Sequence, residues 1–323
     1  MNLSERIENA ERKQEQFRND NRKSRRRKKL SGFALGCLRA FWVVLLLIIA
    51  AAFLAPIVLT IANSFMASSE ISANYGQVFS GVSGTRTFIA DKVNLKFIPD
   101  KVSASQYITV LLKSPEYLLK FWNSVILVTP IVVFQTAVAL GAAYCFARFK
   151  TKFRSAVFFA YIILMLMPYQ VTLVPNYLVE EWLGILNTRW AIILPGVFSP
   201  FAVFILTKYM RRIPSSIIEA AKLDGAGEWK IFTLVMVPMC RPTIWSVVVL
   251  IFMDYWNMVE QPLILLEDTE LYPLSIFLSQ VNEGDVGLAF AVATVYMVPA
   301  LLLFLYSEEY LIDGIASSSG IKG

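Results

Sequence analysis

The sequence predicts an all-α integral membrane protein with six transmembrane helices, both termini in the cytoplasm, and a short polar helical segment between the fourth and fifth spans. Three observations lead there. Of the 323 residues, 56% are hydrophobic and the mean hydropathy is +0.57, more apolar surface than a soluble core of this length can bury. Uncharged runs cover Ala40 to Ser69, Phe121 to Ala147, Ser155 to Val179, Trp190 to Thr207 and Val286 to Ser307, each near or above the ~20 residues that a spanning helix needs. A sixth run, Pro242 to Leu266, is hydrophobic except for Asp254 and Glu260. Finally, 23 of the 30 lysines and arginines fall in segments 1–39, 148–154, 208–241 and the tail. Basic residues stay on the cytoplasmic side of short loops, which puts those segments and both termini inside.

Residues 1–33 form a basic cytoplasmic tail ending in Arg25-Arg26-Arg27-Lys28-Lys29, a topology signal that can also pair with anionic lipid head groups. The first span, 34–66, follows a long polar stretch, so it reads as a retained anchor and not a cleaved signal peptide. Residues 67–118 are a long extracytoplasmic loop of mixed charge with turns at Gly76, Gly81 and Gly84 and some local folding at its apolar patches.

The second span begins at Asn123-Ser124 and reaches its cytoplasmic edge at Arg148 and Lys150. The third carries Met167-Pro168-Tyr169-Gln170 and Pro175. A proline in a membrane helix removes a hydrogen bond, so this span should bend or end early. A short loop through Gly184 to Thr188 leads to the fourth.

The polar segment, 219 to 238, lies on the cytoplasmic side. Ser216-Ile217-Ile218-Glu219 has capping-box spacing, with Pro214 before it, which predicts a helix start. That helix should end at Asp224-Gly225, where glycine can take left-handed geometry, and a second short helix should run from Gly227 to Pro238. Ala220 and Ala221 keep the first helix thin, so another surface could approach its backbone closely.

In the fifth span Asp254, Asn257 and Gln261 recur at spacings of three and four. On a continuous helix they fall within an arc of about 60°, with Glu260 beside them and Trp256 on a different face. Polar groups at membrane depth usually face a bundle interior or an aqueous path. Asp254, Tyr255, Trp256, Asn257 and Gln261 are therefore candidates for lining a translocation path, against a structural hydrogen-bond network between helices. Beyond Pro262, Glu267, Asp268, Glu270, Glu283 and Asp285 make an outer loop with no basic residue. It is a candidate surface for docking a partner, and simple solvation accounts for it equally well. The last span ends at Glu308-Glu309, and 311–323 is a short cytoplasmic tail.

Several chemistries are excluded. The net charge of +6 sits beside membrane spans, not on a recognition helix or an aromatic-studded sheet, which argues against nucleic acid. Three scattered cysteines and no histidine leave no metal or redox spacing and no base for a serine nucleophile. No GxxxxGK followed by Ser or Thr occurs, and Gly225-Ala226-Gly227 is followed by Lys230 where a dinucleotide loop needs glycine. The chain should hydrolyse no ATP itself and should bind no cofactor of its own.

Glu219-Ala220-Ala221, Gly225 and Pro238, with Val235 and Val237 as conservative replacements for Ile and Leu, resemble the EAA loop of the membrane subunits of binding-protein-dependent ABC importers. Asn123-Ser124, Ala142-Ala143-Tyr144, Arg148, Met167-Pro168, Gln170, Gly184 to Thr188, Asp224-Gly225-Ala226, Arg241-Pro242 and Trp256-Asn257 are similar to the MalG-like carbohydrate permeases. The likeness covers roughly 117 to 323 and identifies 119–310 as an importer permease core. It implies a multi-pass subunit of a bacterial or archaeal cell (inner) membrane that pairs with a second, homologous permease. Two copies of a cytoplasmic ABC ATPase, which carry the ATP and Mg, and an extracytoplasmic solute-binding protein complete the system, and the solute is a sugar or oligosaccharide. The resemblance makes Glu219, Ala220, Ala221, Asp224, Gly225 and Pro238 the ATPase-coupling residues, moving the permease by alternating access. From other classes, a stand-alone channel or proton-coupled transporter would use Asp254 and Glu260 as a relay, and a membrane enzyme would react without net transport.

Overall fold

A computed structural model describes residues 36, 38–80, 95–149, 151–280 and 286–318. The basic tail, Glu283, Asp285 and the last five residues fall outside them. The chain divides into two units, Met1–Leu59 and Thr60–Gly323. The first consists, among described residues, of most of α1 (Leu38–Ser64), whose apolar surface is unburied throughout its most hydrophobic stretch.

The second unit is a helical bundle. The outer segment 67–118, expected as a loop, holds α2 (Ser68–Ser80) and α3 (Ser105–Ile108), which runs on as a π-helical turn over Thr109–Lys113. Asn63 Nδ2 donates to the Tyr75 hydroxyl at 2.8 Å, and Met66, Ile71 and Tyr75 form a small core with Phe290. Glu70 anchors the far side of this lobe: Lys96 Nζ lies 2.8 Å from its carboxylate, and the Asp100 amide donates to it at 2.9 Å.

α4 (Pro115–Arg148) is the central rod, with Pro115 at its first position, where a missing amide costs nothing. α5 (Lys152–Met165) is capped by the Thr151 side chain, and α6 (Tyr169–Leu183) leaves it at 105°. The break has a local cause: Pro168 cannot donate and restricts Met167, so one helix stops and the next starts. α7 (Arg189–Gly196) and α8 (Pro200–Met210) follow, the second capped by Ser199. α9 (Ser215–Leu223) is succeeded by α10 (Glu228–Lys230), a π-helical stretch Ile231–Met236 and α11 (Val237–Met239), together one rod. α12 (Arg241–Trp256) departs from that rod at 75°, with Pro242 in its first turn. α13 (Glu260–Leu265), a 3₁₀ turn (Thr269–Leu271), α14 (Leu274–Ser279) and α15 (Val286–Ser318) complete the chain.

Among the described residues, four helices are long and apolar enough to cross a membrane, and up to six if each bent pair counts as one span. No strand occurs among the described residues. The main core joins α4, α7, α8 and α12 through Leu127, Ile131, Ile192, Leu206, Val247 and Ile251. At the α4–α7 contact a Cβ on Gly196 would stand 3.0 Å from Ile131 Cγ1, so glycine is what allows this approach. α15 lies along α12 and α2.

Two sequence expectations are corrected here. The fifth span does not continue to Leu266: its helix stops at Trp256, and Asn257–Val259 are non-helical before α13 begins. The capping box is also absent. Pro214, not Ser216, occupies the N-cap of α9, no side chain caps the helix, and Ser216 is already inside it.

Candidate functional site

The segment that resembles the EAA loop is built around a sharply closed helix end. Gly225 has φ +78°, the left-handed geometry that glycine adopts without a Cβ penalty. Its amide donates to Lys222 O at 3.0 Å, and the Ala226 amide donates to Ala221 O at 2.9 Å. These two bonds make a Schellman motif, with Ala221 and Ala226 both packed on the main core. Glu219, Ala220 and Asp224 are exposed on the outer side of α9, and Pro238 lies in α11 at the end of the following rod.

What fixes this segment to the bundle is Glu228, a residue the sequence reading passed over. Its carboxylate accepts from the Tyr144 hydroxyl at 2.6 Å, meets Lys222 Nζ at 2.7 Å and lies 3.9 Å from Arg148 Nε. Lys222 belongs to α9 and Tyr144 and Arg148 to α4, so one carboxylate joins both. Lys222 lowers its pKa from the ordinary carboxylate value, with the Tyr144 hydrogen bond adding to the effect.

A second feature is a cavity of about 550 Å³ where α6 begins and α12 ends, lined by Tyr169, Gln170, Asp254, Tyr255, Asn257 and Gln261. Glu260 also faces it, with Gln170 Nε2 at 3.5 Å from its carboxylate. An adjoining space of about 560 Å³ shares Tyr169, Tyr255 and Gln261 and extends to Asn176 and Phe198. Helix breaks, not one continuous stripe, bring these side chains together. Aromatic faces beside amides and carboxylates can hold a hydroxyl-rich solute by stacking and hydrogen bonding.

Of the five candidate lining residues, Trp256 stands apart. It is 2% exposed and does not line the cavity. Its indole N–H donates to Tyr296 O at 3.1 Å while its ring stacks on Tyr296 and Phe252. The Tyr296 hydroxyl returns to Asn257 Oδ1 at 3.1 Å. Trp256 therefore locks the end of α12 against α15 and so positions Asn257. Tyr169, Gln170, Met253, Met258, Val259 and Glu260 line the cavity but are not among those five candidates; for the first two the signal was Pro168, which starts a helix there.

The acidic loop is held from two sides. Asn187, at φ +57°, accepts through Oδ1 from the Glu267 and Asp268 amides, each at 2.9 Å. Asn123 Nδ2 donates to Glu270 O at 2.5 Å, Arg189 Nη2 donates to Asn123 Oδ1 at 2.9 Å, and Ser124 Oγ accepts from the Leu274 amide at 2.9 Å. Glu267, Asp268 and Glu270 are left exposed.

Bent apolar helices around a polar cavity, with a partly exposed helix packed at one end, are the build of a polytopic membrane protein. Comparison with known proteins agrees. Residues 135–315 match the family described as "Binding-protein-dependent transport system inner membrane component", and the chain belongs to that family. It is 27% identical over 270 residues to the arabinooligosaccharides transport system permease protein AraQ of Halalkalibacterium halodurans, covering 82% of this chain and 96% of that protein. It is 32% identical over 206 residues to the diacetylchitobiose uptake system permease protein NgcG of Streptomyces coelicolor, covering 62% and 68%. Its fold is similar to a chain of a bacterial ABC transporter involved in the import of the acidic polysaccharide alginate, with a TM-score of 0.67 at 21% identity over 83% of this chain and 94% of that one. The chain is thus a multi-pass inner-membrane permease of an ABC importer, a transport subunit and not an enzyme.

Proposed function

We propose that this permease carries a sugar or oligosaccharide, and that the cavity between α6 and α12 is part of its path. The observation that supports this most is the meeting of Tyr169, Gln170, Asp254, Asn257 and Gln261 around one space of about 550 Å³. Relatives whose names specify arabinooligosaccharides and diacetylchitobiose agree with it. In this reading each bent pair is one span, making six, and both termini and α9 lie in the cytoplasm, where basic residues concentrate.

The exposed face of α9, with Glu219, Ala220 and Asp224, docks an ATPase, Ala221 on the inner side seats the helix on the core, and Gly225 shapes the docking end. Two ATPase copies hold ATP and Mg, a second related permease completes the pore, and a solute-binding protein delivers the sugar outside, where Glu267, Asp268 and Glu270 are held out to meet it. ATP-driven closure pulls on α9 and exchanges inward for outward access, which requires different contacts in the two states.

The test has two arms. The tagged chain, gently solubilised, should retain an ATPase and a second permease, and vesicles holding the complex should take up labelled oligosaccharide only with ATP and the binding protein. Solute movement by the chain alone on a proton gradient would overturn the reading. An Asn257→Ala, Gln261→Ala pair with unchanged uptake kinetics would remove the cavity from the path.

A further inference from the structure

A second cavity, of about 380 Å³, opens where α4 ends and α9 begins. Arg148 from α4, Arg211 and Arg212 from the turn after α8, and Ser215 from the first turn of α9 line it, and no carboxylate does. The charges are poorly compensated. The carboxylate nearest Arg148 is Glu228 at 3.9 Å, and Glu228 is already engaged by Lys222 at 2.7 Å and Tyr144 at 2.6 Å. Arg148 Nε is buried with no hydrogen-bond partner. Arg211 donates to Phe146 O at 3.1 Å and lies over the Phe158 ring at 4.7 Å, contacts that orient its guanidinium without neutralising it. Among the described residues neither Arg211 nor Arg212 is ion-paired, and Arg212 is exposed.

The start of α9 adds to the same field. This nine-residue helix has Pro214 at its N-cap and no side-chain cap, and Pro214 and Ser215 of that end line the cavity, so the positive end of the helix dipole lies beside it. Guanidinium forks beside a free helix start are the donor set that tetrahedral phosphate oxygens take. The rest of the wall is apolar, with Ala147, Met210, Ile213 and Met236. That suits a phosphate carried on a glycerol backbone better than a hydrated ion, and basic pockets between helices on the cytoplasmic side hold anionic head groups.

We infer that this cavity is a binding site for a phosphate-bearing anion, an anionic phospholipid head group, which bridges α4, the turn after α8 and the start of α9. Binding at the site would hold the opposite end of α9 from Gly225, so lipid composition would set how firmly the helix stands. The inference does not depend on the sugar or on the ATPase, because binding is read directly.

The full chain, purified with whatever subunits accompany it, is placed in nanodiscs of phosphatidylcholine with and without phosphatidylglycerol, and retained lipid is counted by native mass spectrometry. Phosphatidylglycerol retention should weaken about fivefold for each guanidinium removed, in Arg212→Gln and then in Arg211→Gln with Arg212→Gln. Arg212→Lys should keep part of it, and Lys152→Gln, a basic residue of the same edge outside the cavity, should change nothing. Should the double variant misfold, Arg212→Gln alone decides. A parallel titration with inorganic phosphate in phosphatidylcholine discs separates the sources: arginine-dependent binding there, with none of the lipid, would assign the site to a soluble phosphate. Retention equal in wild type and Arg212→Gln would overturn the proposal. So would loss of an accompanying protein subunit from Arg212→Gln with lipid retention unchanged, since the cavity would then belong to that subunit.

Discussion

Gly225→Ala tests the geometry of the proposed coupling segment with little confusion from packing. Nothing stands within 4 Å of a Cβ built on Gly225, so the substitution meets no clash, and its whole cost comes from φ +78°. Left-handed backbone costs an L-residue with a side chain ~1–2 kcal/mol. Gly227 supplies the control: a Cβ there also meets nothing within 4 Å, and its φ of −72° suits any residue. Gly225→Ala should therefore open the helix end, and Gly227→Ala should not. A cost of ~1–2 kcal/mol is roughly a 5- to 30-fold change in the closed population. Hydrogen exchange at the Gly225 and Ala226 amides, the two donors of the motif, should speed up by that factor in Gly225→Ala alone. Gly225→Asn should fall between the two, since asparagine tolerates this geometry. In the assembled transporter, uptake per ATP hydrolysed should drop in the same order. Equal exchange in both alanine variants would refute the reasoning, because a Cβ meets no atom at either position and only Gly225 has a positive φ.

Three further outcomes are expected. Tyr144→Phe should destabilise the assembled complex by ~1.5–3 kcal/mol, the scale of a hydrogen bond to a charged group. The Lys222–Glu228 pair, with side chains 46% and 40% exposed, should show a coupling of only ~0.2–1 kcal/mol; a double-mutant cycle in thermal retention of the complex checks the order. Asn187→Gly keeps the turn but removes the two amide contacts to Glu267 and Asp268, and it should free the acidic loop to limited proteolysis while leaving basal ATP hydrolysis unchanged. In the outer lobe, Lys96 and then the Asp100 amide hold the Glu70 carboxyl below its ordinary value of 4.5. The folded lobe thus releases the proton more readily than the unfolded one, so its stabilisation is complete above that ordinary value. It is lost as pH falls through the lowered one. Protease protection of residues 95–101 should decline over that acid window in wild type and be flat in Glu70→Gln.

What could be read from the sequence was what local chemistry decides. Pro168 predicts a break in the third span, and the chain turns there by 105°; Asp224-Gly225 predicts a helix end, and φ +78° supplies it. The misreadings have two causes, a competing local signal and partners distant in the chain. Ser216 and Glu219 have capping-box spacing, but Pro214 with its fixed φ starts the helix before Ser216 and preempts the box. Nothing near Trp256 signals a stop, since the next proline is Pro262; the helix ends there against Tyr296, 40 residues later in the chain. That one tertiary contact moved Trp256 from the candidate path into the core and left Asn257 as the exposed member of the pair. Glu228 looked like an ordinary surface glutamate for the same reason, its hydroxyl partner being 84 residues away.

α4 connects the two ends of this arrangement. At its C-terminal end Tyr144 and Arg148 hold Glu228 and with it the segment that follows α9. At its N-terminal end Asn123 and Ser124 hold the backbone of the acidic outer loop at Glu270 and Leu274. The two sets lie on one helix, and 21 residues at 1.5 Å each separate them by about 31 Å, a membrane's hydrocarbon thickness. A tilt of α4 that follows a pull on Glu228 reaches Asn123 to the extent that this helix, packed along α8 and α12, moves as one rod. Pro130 lies between the two ends, and it is the one place where that rod lacks an amide and can flex. Pro130→Ala should therefore stiffen the connection. If the acidic loop receives the binding protein, a stiffer α4 raises its stimulation of ATP hydrolysis, whereas a flexible joint needed for alternating access makes the same variant lose uptake.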